Sequence, residues 1–203
     1  MKFTIDQALQ RGVAAHKTNK FNEAEKIYRT ILQIDPMNAA VHSNLGVMLY
    51  KLGRLNEAES SYKKLISQKP KHAEAHCNLG VIQQELNKLE ESEVSFKKVI
   101  ELNPDYVVAY NNLSNTLKKL GKLDEAETNY RTAIILKSDY VEAYYNLSVM
   151  LQEMDRLEES EIGCKKAIEL KPKYAEAYNN LGIIHQKCGR IEKAKENYKK
   201  AID

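Results

Sequence analysis

Residues 39–72, AAVHSNLGVMLYKLGRLNEAESSYKKLISQKPKH, contain the pattern that decides the fold. In the first half, apolar residues recur at the i, i+3, i+4, i+7 spacing of one helix face, at Val41, Leu45, Met48, Leu49 and Leu52. Gly53 interrupts this pattern, because glycine suits the left-handed conformation that ends a helix. A second amphipathic stripe then runs up to Pro70, through Leu55, Ala58, Tyr62, Leu65 and Ile66. The stretch therefore predicts two helices joined by a tight turn.

The same pattern returns along the chain at an interval of 34 residues. Its most regular element is an asparagine followed by leucine, at Asn44, Asn78, Asn112, Asn146 and Asn180. A large residue recurs in the second half of the pattern, except at Cys164, and occupies Tyr28, Tyr62, Phe96, Tyr130 and Tyr198. These phases predict a single array over 1–203, with units of about 5–38, 39–72, 73–106, 107–140, 141–174 and a shortened 175–203.

The turn between the two predicted helices uses a restricted set of residues. Gly, Asn and Asp tolerate the left-handed conformation, and they alternate at this point as Asn19, Gly53, Asn87, Gly121, Asp155 and Gly189. One helix pair cannot bury both of its apolar stripes alone, so neighbouring pairs must stack. The sequence thus predicts an all-α repeat protein in which the leucine after each asparagine and most of the recurring large residues are buried.

The spacing of Leu-Gly, turn Gly, Ala, Tyr, Ala and Pro resembles the tetratricopeptide repeat, from about Ile5 to the end of the chain. The resemblance implies a right-handed superhelical solenoid of antiparallel helix pairs, twelve helices in all. Departures are mild. His42 and His76 stand where the family prefers an aromatic residue, and Ser114 and Ser148 replace a small glycine.

In this family the first helix of each pair lines a concave groove, and the asparagines fall on that face. Their row resembles the asparagine ladder of the O-linked N-acetylglucosamine transferase repeats, where amides hold the backbone of a bound chain. An asparagine amide offers two donors and an acceptor, so it can pair with a peptide N–H and C=O together. The alternative is that these amides bond to their own neighbours or to water. The resemblance predicts that peptide contacts are made by Asn44, Asn78, Asn112, Asn146, Asn180, Tyr145 and Asn115, over an apolar floor that includes Val47, Val81 and Val149.

Other kinds of partner find little support in the sequence. The net charge is +3, which does not argue for nucleic acid. Paired lysines form a row on the second helices, but glutamates four residues before the cations offset them, at Glu25, Glu59, Glu93, Glu127 and Glu161. No window approaches the roughly 18 apolar residues of a membrane span. The three cysteines are expected to be reduced thiols of a cytoplasmic protein.

Catalytic and metal sites are also not expected. His72 and His76 share a spacing that suits metal ligands, but His72 lies at a unit boundary and His76 at a packing position. No Gly-rich phosphate loop and no recurring nucleophile–base set occurs, so no enzyme activity and no cofactor are predicted.

The leading functional hypothesis is an interaction scaffold that binds an extended peptide or a partner helix in its groove. A second hypothesis is an N-terminal substrate-recruiting module of a longer enzyme of the glycosyltransferase, sulfotransferase or methyltransferase type. A third is self-association through the last unit, whose apolar residues are expected to lack a following helix: Ile184, Ile191, Tyr198 and Ile202.

Overall fold

The computed structural model describes residues 4–202, and over this range it contains twelve α-helices and no β-strand. The chain divides into two compact units, residues 1–104 and 105–203, each with three helix pairs. The first unit contains α1 (Ile5–Lys17), α2 (Phe21–Ile34), α3 (Ala39–Lys51), α4 (Leu55–Gln68), α5 (Ala73–Glu85) and α6 (Leu89–Leu102). The second unit contains α7 (Val107–Lys119), α8 (Leu123–Leu136), α9 (Val141–Glu153), α10 (Leu157–Leu170), α11 (Ala175–Lys187) and α12 (Ile191–Ile202). The prediction of an all-α helical solenoid is confirmed.

Each pair turns at a residue with positive φ, as the sequence predicts. The six values lie between 56° and 74°, at Asn19, Gly53, Asn87, Gly121, Asp155 and Gly189. In the second repeat the Gly53 N–H donates to the Tyr50 carbonyl and the Arg54 N–H to the Leu49 carbonyl, both at 2.9 Å. This pair of bonds is a Schellman motif, which satisfies carbonyls that the helix end leaves open.

The helices of one pair are held together by a large ring against a small residue. In the first unit the Tyr62 ring is so close to Gly46 that a Cβ built there would lie 2.8 Å from it, and Phe96 meets Gly80 in the same way. Both rings are buried, as predicted. The glycine therefore lets the two helices approach until the ring fills the space between them.

The second unit varies this contact. Tyr130 is buried on the side of its pair where Ser114 replaces the glycine. In the next repeat both partners are small, and Ser148 Oγ lies 3.2 Å from Cys164 Sγ. Gly163 compensates there, because a Cβ built on it would lie 3.0 Å from Ser148 Cβ. The glycine on α10, in place of one on α9, thus lets the two helices approach closely over the smaller pair.

The predicted core leucines are buried in both units: Leu45, Leu79, Leu113, Leu147 and Leu181. The expectation for the last repeat needs one correction. Ile184 is fully buried, because α12 and the preceding helices already cover it, whereas Ile191 and Ile202 are exposed.

Ion pairs join consecutive repeats. The predicted i, i+4 pairs on the second helices are present, such as Glu25 with Arg29 at 2.7 Å. The same Glu25 also binds Arg54, which lies at the start of the next repeat's second helix, at 2.7 Å. In the second unit Glu127 likewise binds Arg131 of its own helix and Arg156 of the next repeat. Each of these glutamates therefore links two repeats.

The contact between the ring and the glycine predicts that a methyl group added at the glycine destabilises the fold. Gly46→Ala should lower the free energy of unfolding by about 1–3 kcal/mol, because the new Cβ overpacks against the Tyr62 ring. Urea denaturation measures this. Gly53→Asn is the matched control and should cost much less, since Asn19 and Asn87 already occupy the same turn position. Equal costs for the two substitutions would show that the ring contact does not limit helix approach.

The inter-repeat ion pairs predict a pH dependence at Glu161. Burial alone raises the pKa of this carboxyl, but hydrogen bonds from Lys165, Arg190 and His185 outweigh it and lower the pKa from 4.5 to about 2. A lowered native pKa stabilises the fold above pH 4.5, and this contribution is lost as the pH falls toward 2.

Glu161→Gln should therefore be less stable at neutral pH and lose less stability over that acidic range, as measured by urea midpoints at several pH values. Glu158→Gln, at an exposed glutamate of the same helix, is the control. A pH profile of Glu161→Gln that matches the wild type would contradict the prediction.

Candidate functional site

In the first unit, three of the predicted binding residues lie at one pocket. Val47 of α3 and Asn78 and Val81 of α5 line a cavity of about 110 Å³. Tyr50, Tyr62 and Ile82 complete its lining. The pocket lies between the first helices of two consecutive repeats, which is the face that the sequence predicts for binding.

The polar groups at this pocket are partly engaged. Asn78 Nδ2 donates to the Tyr62 hydroxyl at 3.1 Å. Burial raises the pKa of Tyr62 to about 12, so the hydroxyl keeps its proton at neutral pH. Within residues 4–202 no acceptor takes that proton, and no donor is bonded to Asn78 Oδ1. An acceptor and a donor thus stand side by side in the lining of the pocket.

Asn44 and Tyr50 of α3 each donate one hydrogen bond. Asn44 is half-buried, and its Nδ2 donates to the Ala40 carbonyl of its own helix at 2.9 Å. The Tyr50 hydroxyl donates to Glu85 Oε1 of α5. The tyrosine is therefore held in one orientation at the pocket wall, and the Asn44 carbonyl oxygen has no partner among the described residues.

In the second unit the predicted residues lie on the first helices α7, α9 and α11. Asn112 and Val149 are half-buried. Asn146 Nδ2 donates to Asn111 Oδ1 at 3.1 Å. Asn115 lies in the position that valine occupies in the neighbouring repeats. Its Oδ1 accepts from the hydroxyl of the buried Tyr130 at 2.6 Å.

The orientation predicted for Asn180 is wrong. Its side chain is buried, with 4% exposed, and Nδ2 donates to Cys164 Sγ at 3.2 Å. Cys164 replaces the aromatic ring found at this place in the other repeats. The smaller thiol leaves room into which the amide sinks, so Asn180 has a structural role.

Tyr145 belongs to an aromatic pair. Its ring centroid lies 5.0 Å from that of Tyr174, at an interplanar angle of 53°. Lys171 Nζ lies 4.3 Å from the Tyr174 centroid, a distance at which a cation is attracted to the ring face. Burial and then the neighbouring Glu176 raise the pKa of Tyr145, which therefore stays neutral.

Sequence reasoning missed three residues of this face: Tyr62, Asn111 and Tyr174. The sequence pattern assigns Tyr62 only to the core. The equivalent residue of the next repeat is Phe96, so the hydroxyl of Tyr62 is not needed for packing, and a buried tyrosine hydroxyl usually has a hydrogen-bond partner. Asn111 and Tyr174 vary between repeats, so the periodic pattern gives no indication of them.

The two histidines considered as metal ligands have other roles in the structure. His72 Nδ1 accepts from the Ala75 N–H at 3.2 Å and caps α5. His76 Nε2 lies 2.9 Å from the Pro70 carbonyl, to which it donates. Both rings thus stabilise the start of the helix.

Family profiles described as tetratricopeptide repeat match consecutive stretches of the chain. The matched residues are 15–76, 73–106, 95–128, 114–155, 141–174 and 164–196. Together they cover most of the sequence. The chain belongs to the tetratricopeptide repeat family.

Solved structures of this family share the fold. A tetratricopeptide repeat protein from Parabacteroides merdae is 18% identical, with a TM-score of 0.87 over 98% of this chain and 78% of that one. MamA is 25% identical, with a TM-score of 0.71 over 77% of this chain and 92% of that one. YrrB is 22% identical, with a TM-score of 0.66 over 87% of this chain and 91% of that one, and is described as having an unusual peptide-binding site.

No curated protein matches the sequence. Among the helices of residues 4–202, none combines the length and the apolar content that a membrane-spanning segment needs.

The burial of the thiols predicts their order of modification. Burial raises the pKa of the Cys164 thiol, and Cys77 is also buried, whereas Cys188 is half-buried. Iodoacetamide should therefore alkylate Cys188 first, because the accessible thiolate is the reactive species. Peptide mass spectrometry measures the order, and the unfolded chain in urea is the control in which all three react. Early alkylation of Cys164 in the folded protein would show that the α9–α10 packing opens readily.

Proposed function

We propose that this protein is an interaction scaffold that binds an extended peptide along the face formed by its first helices. The observation that supports the proposal is the pocket between α3 and α5, where, within residues 4–202, Asn78 Oδ1 accepts no hydrogen bond and the Tyr62 hydroxyl donates none, beside an apolar wall. Val47 and Val81 supply that wall.

The available groups match the polarity of one peptide unit. A peptide N–H would donate to Asn78 Oδ1, and the neighbouring carbonyl would accept from the Tyr62 hydroxyl. A small aliphatic side chain of the same segment would enter the space between the two valines. Such contacts recognise backbone, so the proposed site takes many sequences that share an extended conformation.

The second unit is proposed to carry a binding face of the same kind. Asn112, Asn146 and Val149 are half-buried on first helices, and the Tyr145–Tyr174 pair offers aromatic surface beside them. Asn180 is not part of the proposed site, because its amide is buried against Cys164.

The comparisons support this class of function. Tetratricopeptide repeat proteins are generally non-enzymatic scaffolds, and the related structure of YrrB is described as having a peptide-binding site. The chemistry of this chain's own face, a row of neutral donors and acceptors over valines, fits a peptide better than a charged ligand.

The test starts from a peptide selected against the wild-type protein from a random library, with affinity measured by calorimetry. Asn78→Ala should weaken binding about five- to tenfold, because a hydrogen bond of about 1 kcal/mol or slightly more is lost. Tyr62→Phe keeps the ring and removes only the hydroxyl, and it should have a similar effect.

The matched control is Asn129→Ala, at an asparagine of α8 that donates only to the Glu125 carbonyl of its own helix. It should bind with wild-type affinity. If Asn78→Ala and Tyr62→Phe both bind like this control while remaining folded, the pocket does not contact the peptide and the proposal fails.

A further inference from the structure

A strongly apolar pocket of the second unit lies away from the residues of the proposed peptide site. It has a volume of about 340 Å³ and opens between the second helices α8 and α10. Its floor is formed by Leu147 and Leu151 of α9, which are almost fully buried. At its mouth stand Ile135 and Ile162, which are 81% and 69% exposed. Large aliphatic side chains this exposed on both sides of a cavity are characteristic of an interaction site.

The equivalent place in the first unit shows that the repeat does not by itself require such a pocket. Between α2 and α4 the same backbone positions enclose only about 140 Å³. Ser60 and Ser61 line that cavity where the second unit has Ile162 and Gly163, and Gln33 stands in the sequence where Ile135 stands three repeats later. The second unit has therefore gained both volume and apolar surface at one site.

The mouth of the larger pocket also presents a cation. Arg131 lines it, and its side chain is 49% exposed, whereas Glu127, which binds it, is only 16% exposed. Arg131 donates through Nε and Nη2 to Glu127, and through Nη2 to Glu159 at 3.2 Å. Within residues 4–202 its Nη1 has no acceptor, so two N–H groups point away from the network. Glu159, also at the mouth, is already held in two bonds by Arg156.

We propose that this pocket is a second docking site, which takes a bulky apolar side chain of a partner protein whose neighbouring group is a carboxylate. The apolar side chain fills the space between Ile135 and Ile162, over Leu147 and Leu151. The carboxylate accepts from Nη1 of Arg131, since a guanidinium binds carboxylate oxygens with well-defined geometry. The site is separate from the first-helix face and does not depend on peptide binding there.

The probe pair for the test is N-acetyl-tryptophan and N-acetyl-tryptophanamide, which differ only in the carboxylate. Binding is followed by amide chemical shifts of the ¹⁵N-labelled full chain and by indole fluorescence, which is free of background because the protein contains no tryptophan. The expected shifts centre on α8, α9 and α10. The acid should bind about two- to fivefold more tightly than the amide, as expected for one exposed ion pair.

Two variants locate the effect. The double variant Ile135→Gln, Ile162→Ser places at these two exposed positions the side chains of Gln33 and Ser60, their equivalents in the first unit. It should weaken the binding of both probes about tenfold. Arg131→Gln should remove the preference for the acid and leave binding of the amide nearly unchanged. Val94→Ser is the control: it removes an equally exposed aliphatic side chain from α6 of the first unit, and it should bind both probes as the wild type does.

Three results would overturn the proposal. The first is an absence of shifts at α8–α10 up to the solubility limit of the acid. The second is wild-type affinity in the Ile135→Gln, Ile162→Ser variant with circular dichroism unchanged. The third is equal affinity of the wild type for acid and amide, which would remove the carboxylate from the recognised group.

Discussion

The contact on which most of the structure depends is the packing of a large ring against a small residue, which occurs in every helix pair except α9–α10. The ring of Tyr62 fills the gap that Gly46 leaves, and this sets how closely α3 and α4 approach. The same tyrosine reaches the neighbouring repeat with its hydroxyl, which meets Asn78. The ring of Tyr62 thus sets the spacing of its helix pair, and its hydroxyl forms part of the candidate site.

The sequence predicts those features that depend on a single repeat. The turn at Gly53, the burial of Tyr62 and the pairing of Glu25 with Arg29 each follow from residues close in the chain, because periodicity records local geometry. Features that depend on two repeats are not predicted. Asn180 is buried because Cys164 of the preceding repeat is small, and Arg54 reaches back across 29 residues to Glu25.

Variation between repeats assigns different chemistry to equivalent places. The backbone that surrounds Ser60 and Ser61 in the first unit surrounds Ile162 and Gly163 in the second, and the cavity changes from a small polar one to a larger apolar one. Since the fold needs only the ring, the small residue and the turn, the remaining positions are free to specialise. The face formed by the first helices of the pairs and the face formed by the second helices are therefore free to differ in chemistry without a change in the scaffold.

The glutamates that bind cations of two repeats also make each repeat thermodynamically dependent on its neighbour. When the repeat that carries Arg190 melts, Glu161 loses one of its cations. That loss destabilises the repeat that is still folded, so unfolding spreads by nearest-neighbour coupling, as in a one-dimensional Ising chain. Cooperativity in this molecule is thus built from short-range links, and the length over which unfolding propagates is set by residues such as Glu127 and Glu161.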